Sequence, residues 1–199
     1  MNESFLLSLA RPQPIPGGGA AAAYTASVGL ALLEKITRLE MQRDELQNEL
    51  SPIWKTLLGK VIQLAEACSR LRDEDGAAYL TWTKTKVSEE NVDEIHDALE
   101  QATACPIDIA EQVREAMECA IEAGKYAKKH LLSDLLVVCE VLNGAGKGAA
   151  HIAFANLGLM ADTSTKKDFE RQLARLQTLV DESYNGAREG LFHRLYPSQ

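Results

Sequence analysis

One stretch near the start constrains this chain most: Pro16-Gly17-Gly18-Gly19 running directly into Ala20-Ala21-Ala22-Ala23. Three glycines free the backbone to take positive φ or to approach another group closely. The alanines that follow are the strongest helix formers and carry nothing beyond Cβ. The junction therefore reads as a bare helix N-terminus, with unpaired N–H groups and partial positive charge facing outward. Two readings follow: an anion-holding helix end, or a helix start that another helix must approach closely.

The rest of the chain is consistent with helices. The 199 residues suit one domain, taken as residues 1–199, with 46% apolar and only 6% aromatic residues. Residues 17–33 carry no charge, but they are small-sided and weakly hydrophobic for a membrane span. They read as a helix buried on most sides, in a cytoplasmic protein with no membrane partner. The net charge of −8 argues against nucleic acid as a partner. Cys68, Cys105, Cys119 and Cys139 show no C-x-x-C spacing and read as reduced core thiols. The four histidines form no H-E-x-x-H, so no metal site is expected.

Alternate prolines in Arg11-Pro12-Gln13-Pro14-Ile15-Pro16 force an extended strap. A first long helix is expected from about Gly18 to Leu50, its second half charged and solvated. Ser51-Pro52 marks a helix restart, with Ser as N-cap and Pro at the first position. Asp73 to Gly76 is expected to interrupt or cap, and residues 83–87 to form a loop. Ser88 and Asn91 open the next helix, Pro106 bends or restarts it, and Gly124 ends it. Ser133 is the expected N-cap of a second small-sided helix from Asp134 to about Leu159. Asp162 to Ser164 caps the last helix. The prediction is an all-α bundle of six to eight helices.

Two motifs invite chemistry. Asn143-Gly144-Ala145-Gly146-Lys147-Gly148 resembles a phosphate loop, but Val141 stands where the first glycine belongs and Gly148 follows the lysine. Its small residues fit close packing against the first helix better. Such a pair leaves a narrow slot into which Arg11, Lys147, Asp134 and Asn156 can point. Asp134 and Lys147, 13 residues apart, are separated by about 20 Å along the helix; solvated helix ends are the plain alternative. Asp73 and Asp75, beside Tyr79 and Trp82, are either a solvated cap or paired carboxylates, which hold a proton at higher pH than one alone.

With Phe5-Leu6-Leu7, Pro14 through Ala23, Asp73 through Tyr79, Cys105-Pro106, Ser133-Asp134 and Asn156 in this order, the chain resembles the cyclodeaminase/cyclohydrolase family of folate enzymes. The resemblance covers about residues 5–160. It implies an all-helical homodimer holding a tetrahydrofolate derivative as substrate, with no further cofactor. It implies either water addition to a methenyl carbon or cyclisation of a formimino group with loss of ammonia. It assigns Asp134, with Asp73 and Asp75, to proton transfer. It places Arg11, Gly17, Gly18, Gly19, Ser133, Lys147 and Asn156 around the ligand. Three stretches depart from the family pattern: Lys35 to Glu40, Lys84 to Val87, and Ile152 in place of an asparagine. These departures support the alternative of a non-catalytic helical dimer that binds a ligand or a partner.

Overall fold

The computed structural model describes residues 3–44, 50–88, 92–161 and 163–197. They form α1 (Glu3–Leu9), α2 (Gly18–Asp44), α3 (Ser51–Ser88), α4 (Val92–Tyr126), a 3-10 turn (Lys129–Leu131), α5 (Leu132–Leu157) and α6 (Ser164–Leu195). Among the described residues there is no strand, and the predicted all-α bundle is what the chain forms.

The helices are longer than their breakers suggest. α3 runs unbroken through Asp73–Gly76 and through residues 83–87, where a cap and a loop are expected from the sequence. Gly76 is buried where Ile15 packs over it, with 3.7 Å between Ile15 Cβ and the position a Cβ on Gly76 would take. Packing there offsets glycine's intrinsic cost of about 1 kcal/mol. Further on, the hydroxyls of Thr81, Thr83 and Thr85 donate to the carbonyls one turn back, at Ala77, Tyr79 and Thr81. That keeps a threonine-rich run helical. α4 likewise passes through Pro106 and Gly124 to Tyr126. Its end is held by Arg194 of α6, which donates to the carbonyls of Gly124 and Ala127.

Other boundaries shift less. α2 ends at Asp44, and the predicted extension to Leu50 crosses residues 45–49, outside the described set. Asn91 and Asp162 also lie outside it. α5 starts at Leu132, so Ser133 sits inside the first turn rather than at the cap. At the start of α6 the N-cap is Thr163, whose side chain accepts from the Lys166 N–H at 3.2 Å.

The second half of α2 is solvated on one face only, where Lys35, Arg38 and Gln42 are exposed. Ile36 and Thr37 are fully buried, and Glu40 is 1% exposed. The Glu40 carboxylate accepts from the Lys128 backbone N–H at 2.9 Å and pairs with Arg43, fastening α2 to the chain leaving α4. The charge pattern reads as solvated because sequence alone does not reveal a donor 88 residues away.

α2 and α5 pack antiparallel at close range, as their small side chains predict. Gly18 faces Ile152, Gly148 faces Ala22, and Gly29 faces Leu142. A Cβ on Gly29 would stand 3.1 Å from Leu142, tighter than ordinary van der Waals contact. The glycines of α5 are not all spent on this contact. Gly146 faces the other way, toward Val113 of α4 and Val180 of α6, and Gly144 faces open space. The core between α2, α3, α4 and α5 holds Leu30, Leu33, Trp54, Met117 and Leu135. All four cysteines are free and buried within the bundle, and burial pushes the Cys105 and Cys139 thiols up to about 12.

Candidate active site

The bundle leaves a cleft of about 270 Å³ where α2 begins. The strap residues Pro14 and Ile15 cover it, and Gly17, Gly18 and Gly19 form its floor. Asp75 and Tyr79 enter from α3, Ala102 from α4, and Ile152, Ala155 and Asn156 from the end of α5.

Asp75 is the central group. Its Oδ2 accepts from the Ala20 N–H at 2.9 Å, so α2 is capped by a carboxylate 55 residues away instead of by a residue beside it. The Ala21 N–H bonds to the Gly17 carbonyl at 3.0 Å. The remaining first-turn N–H groups are those of Gly18 and Gly19, both lining the cleft. Burial raises the Asp75 pKa above the usual carboxylate range, with the Ala20 N–H pulling partly the other way. Desolvation disfavours the charged form and a hydrogen bond to it favours it; here desolvation is the larger.

This geometry explains the glycines. Among the described residues none of them has positive φ, so the conformational freedom expected is not what the site uses. A Cβ on Gly19 would lie 2.0 Å from Asp75 Oδ1, and one on Gly18 would lie 2.8 Å from Ile152 Cδ1. At Gly19 a side chain would displace the whole Asp75 carboxylate, whereas at Gly18 it would meet only the flexible tip of Ile152. Both sequence readings of the stretch therefore describe parts of it: α5 approaches closely, and a carboxylate side chain occupies the helix end.

Asn156 donates from Nδ2 to the Ala102 carbonyl at 2.7 Å. Among the described hydrogen bonds none goes to its Oδ1. Tyr79 is 40% exposed and packs obliquely on Trp82, with ring centroids 5.9 Å apart.

The other predicted site residues lie elsewhere. Asp73 points away from Asp75, since two helical residues turn the face by about 200°. It is 72% exposed and bonds to Arg72 at 2.9 Å. Arg72 in turn stands 5.6 Å from the centre of the Phe5 ring, which stacks on Tyr24. Asp73 thus belongs to the anchor of α1, and the rise in the Asp75 pKa owes nothing to it. Arg11 is exposed on the strap. Lys147 pairs with Asp181 of α6 at 3.4 Å, on the side of α5 away from α2. Ser133 and Asp134 occupy the first turn of α5, about 33 Å along the helix axis from Asn156. Within one chain the cleft gathers Gly17, Gly18, Gly19, Asp75 and Asn156, and not the other five. Ile15, Tyr79 and Ala102 are cleft residues that sequence reasoning does not assign. Only the proline four residues after Ala102 hints at that carbonyl.

A larger groove of about 460 Å³ lies between the start of α3 and α4, with Pro52, Ile53 and Leu57 among its walls. It is a more open surface feature, and its lysine, Lys60, is already paired with Glu115 at 3.3 Å. It offers no counterpart to the partly buried carboxylate and helix end of the cleft. Among the described residues no cluster of His, Cys, Asp or Glu is arranged to hold a metal ion. None of the described helices is long and apolar enough to cross a membrane.

A glycine floor, a capping carboxylate and a closing asparagine, in this order along a helical bundle, invite comparison with known proteins. The sequence profile of the formiminotransferase-cyclodeaminase family matches residues 1–175. The chain belongs to that family. It is 25% identical over 187 residues to the formimidoyltransferase-cyclodeaminase of Rattus norvegicus, covering 90% of this chain and 34% of that protein. The chain therefore spans about a third of the rat protein's length. It is also 25% identical over 191 residues to the methenyltetrahydrofolate cyclohydrolase of Methylorubrum extorquens, covering 91% and 89% of the two chains. The crystal structure of formiminotetrahydrofolate cyclodeaminase from Thermotoga maritima superposes with a TM-score of 0.91 over 98% of each chain, at 17% identity. That likeness establishes the helical fold of this member.

Proposed function

We propose that this protein is a folate one-carbon enzyme, a methenyltetrahydrofolate cyclohydrolase or a formiminotetrahydrofolate cyclodeaminase, acting in the cleft at the start of α2. The observation that carries the reading is Asp75, a partly buried carboxyl whose pKa is raised by desolvation and which lies in a cleft of this family's fold. In the hydrolase reaction water adds to the methenyl carbon, one C–N bond breaks, and a proton passes to solvent. In the deaminase reaction N10 attacks the formimino carbon, the bond from that carbon to the imine nitrogen breaks, and the nitrogen leaves as ammonia with the N10 proton and one further proton supplied by an acid. Both need a group that gives and takes a proton at the reacting atoms. The Asp75 carboxyl takes that role, and the first N–H groups of α2 face the polarised end of the substrate.

The test is optical. Added to methenyltetrahydrofolate, the protein is expected to accelerate loss of the methenyl absorbance. Added to formiminotetrahydrofolate, it is expected to release ammonia if it is the deaminase. Failure of both, with no tetrahydrofolate binding by calorimetry, removes the enzyme reading. One feature favours the non-catalytic alternative: the cleft wall is apolar at Ile152, and neither Arg11 nor Lys147 lines it.

On this reading the protein is a homodimer in the cytoplasm. In a two-fold antiparallel pairing of α5 with its copy, the first turn of one chain, with Ser133 and Asp134, stands level with Asn156 of the other. Such an arrangement lets both ends of the helix serve one ligand. Light scattering is expected to give about twice the 21.8 kDa of one chain. A monomeric mass would take Asp134 out of the proposed chemistry.

A further inference from the structure

The hydrogen bond that fixes Asn156 has a cause elsewhere in the sequence. In an α-helix each carbonyl accepts from the N–H four residues on, and proline has no N–H to give. Pro106 lies inside α4, so the carbonyl of Ala102, four residues earlier, loses its helical donor. Ala102 is buried, 6% exposed, and water does not readily replace the missing partner. The proline ring also pushes that carbonyl off the helix axis. Asn156 of α5 supplies what is missing, its Nδ2 standing 2.7 Å from the Ala102 oxygen.

An amide held this way has one orientation. Rotating it would place Oδ1 against the Ala102 oxygen, two acceptors in contact. With Nδ2 on α4, Oδ1 is left as an acceptor at a wall of the cleft that Ala102, Ile152 and Ala155 otherwise make apolar. An acceptor in such a wall is paired by a ligand donor or is left at a cost.

We propose that Pro106 is a positioning residue for the cleft: it orphans the Ala102 carbonyl, which orients Asn156 so that Oδ1 accepts from an N–H edge of the bound heterocycle. This inference rests on the folate reading for the identity of the heterocycle, and on the structure alone for the link from Pro106 to Asn156. A ring whose facing edge carries only acceptors is rejected, because it would leave Oδ1 unpaired.

The experiment uses the full chain as wild type, Pro106→Ala, Asn156→Ala and the double variant. Two readouts are taken: the side-chain amide resonance of Asn156, identified by its disappearance in Asn156→Ala, and the affinity for tetrahydrofolate by calorimetry. In Pro106→Ala the new residue offers its N–H to the Ala102 carbonyl, so Asn156 is expected to be released, its amide signal moving to the solvent-exposed position. Affinity is expected to fall about 10-fold. The thermal midpoint is expected to hold or rise, because alanine suits a helix interior where proline does not. A purely structural role for Pro106 gives no such opposition between stability and affinity. Asn156→Ala is expected to lose about as much affinity, and the double variant no more than either single one. An unchanged amide signal in Pro106→Ala, or losses that add in the double variant, would overturn the link. If the wild-type chain binds no tetrahydrofolate, the folate reading fails and the amide signal alone decides the link.

Discussion

Asp75→Asn is expected to lower turnover of the folate substrate by about 10²–10³-fold, within the span general acid–base groups supply, while leaving the fold intact. The two effects separate because the two functions of the carboxyl separate. Asparagine still offers an oxygen to the Ala20 N–H, so the cap on α2 survives. It does not exchange a proton. The direction of the pKa shift gives a further check. An acid whose folded-state pKa is raised binds more protons folded than unfolded, so its contribution to stability is full below the unfolded value and is lost as pH rises through the folded one. Asp75 is raised, chiefly by desolvation. The variant is therefore expected to gain stability relative to wild type as pH climbs from the ordinary aspartate range through that raised value. Denaturant melts of both proteins at several pH values measure the difference. An active Asp75→Asn protein would remove Asp75 from the chemistry, and a difference that runs the other way with pH would contradict the desolvated site.

Gly19→Ala is the second large effect, and it reaches the same site by sterics alone. The new Cβ would stand 2.0 Å from Asp75 Oδ1, a separation that neither atom tolerates. The carboxylate has to swing out, losing the Ala20 N–H and the position from which it meets a ligand. Loss of a helix cap costs about 1 kcal/mol. Alanine's better helix propensity offsets about the same amount. Net stability therefore changes little, while activity is expected to fall at least about 100-fold, by analogy with removal of the acid itself. Gly59→Ala is the control for propensity. It lies within α3, and a Cβ there meets nothing within 4 Å. It is expected to raise the thermal midpoint and leave turnover untouched. Equal turnover in Gly19→Ala and wild type would mean that the contact between Asp75 and the start of α2 is not needed for function.

These two residues illustrate what is legible in the chain. The triple glycine, the strap before it and the small-sided helix after it are local features, and local features set helix starts. Their place beside Asp75 emerges from a resemblance in the order of motifs, not from any spacing. The three breakers that lie inside helices share one cause. Gly76, Pro106 and Gly124 read as breakers from propensities of about 1 to 3 kcal/mol, and each is overridden by a neighbour distant in sequence: Ile15 over Gly76, Asn156 on the carbonyl freed by Pro106, Leu191 and Arg194 around Gly124.

The sequence by itself determined the class of fold, because apolar periodicity and small-residue faces are read residue by residue along the chain. It determined the family, because motifs keep their order whatever their contacts. Only the tertiary structure decided which candidates share a site. Asp75 and Asp73 are two positions apart and face opposite ways, one into the cleft and one onto the α1 anchor. Asp134 and Asn156 share a helix and stand at its two ends. Helix geometry fixes those angles and rises, but which face is covered, and by what, depends on partners 34 to 88 residues away, and no window along the chain contains both.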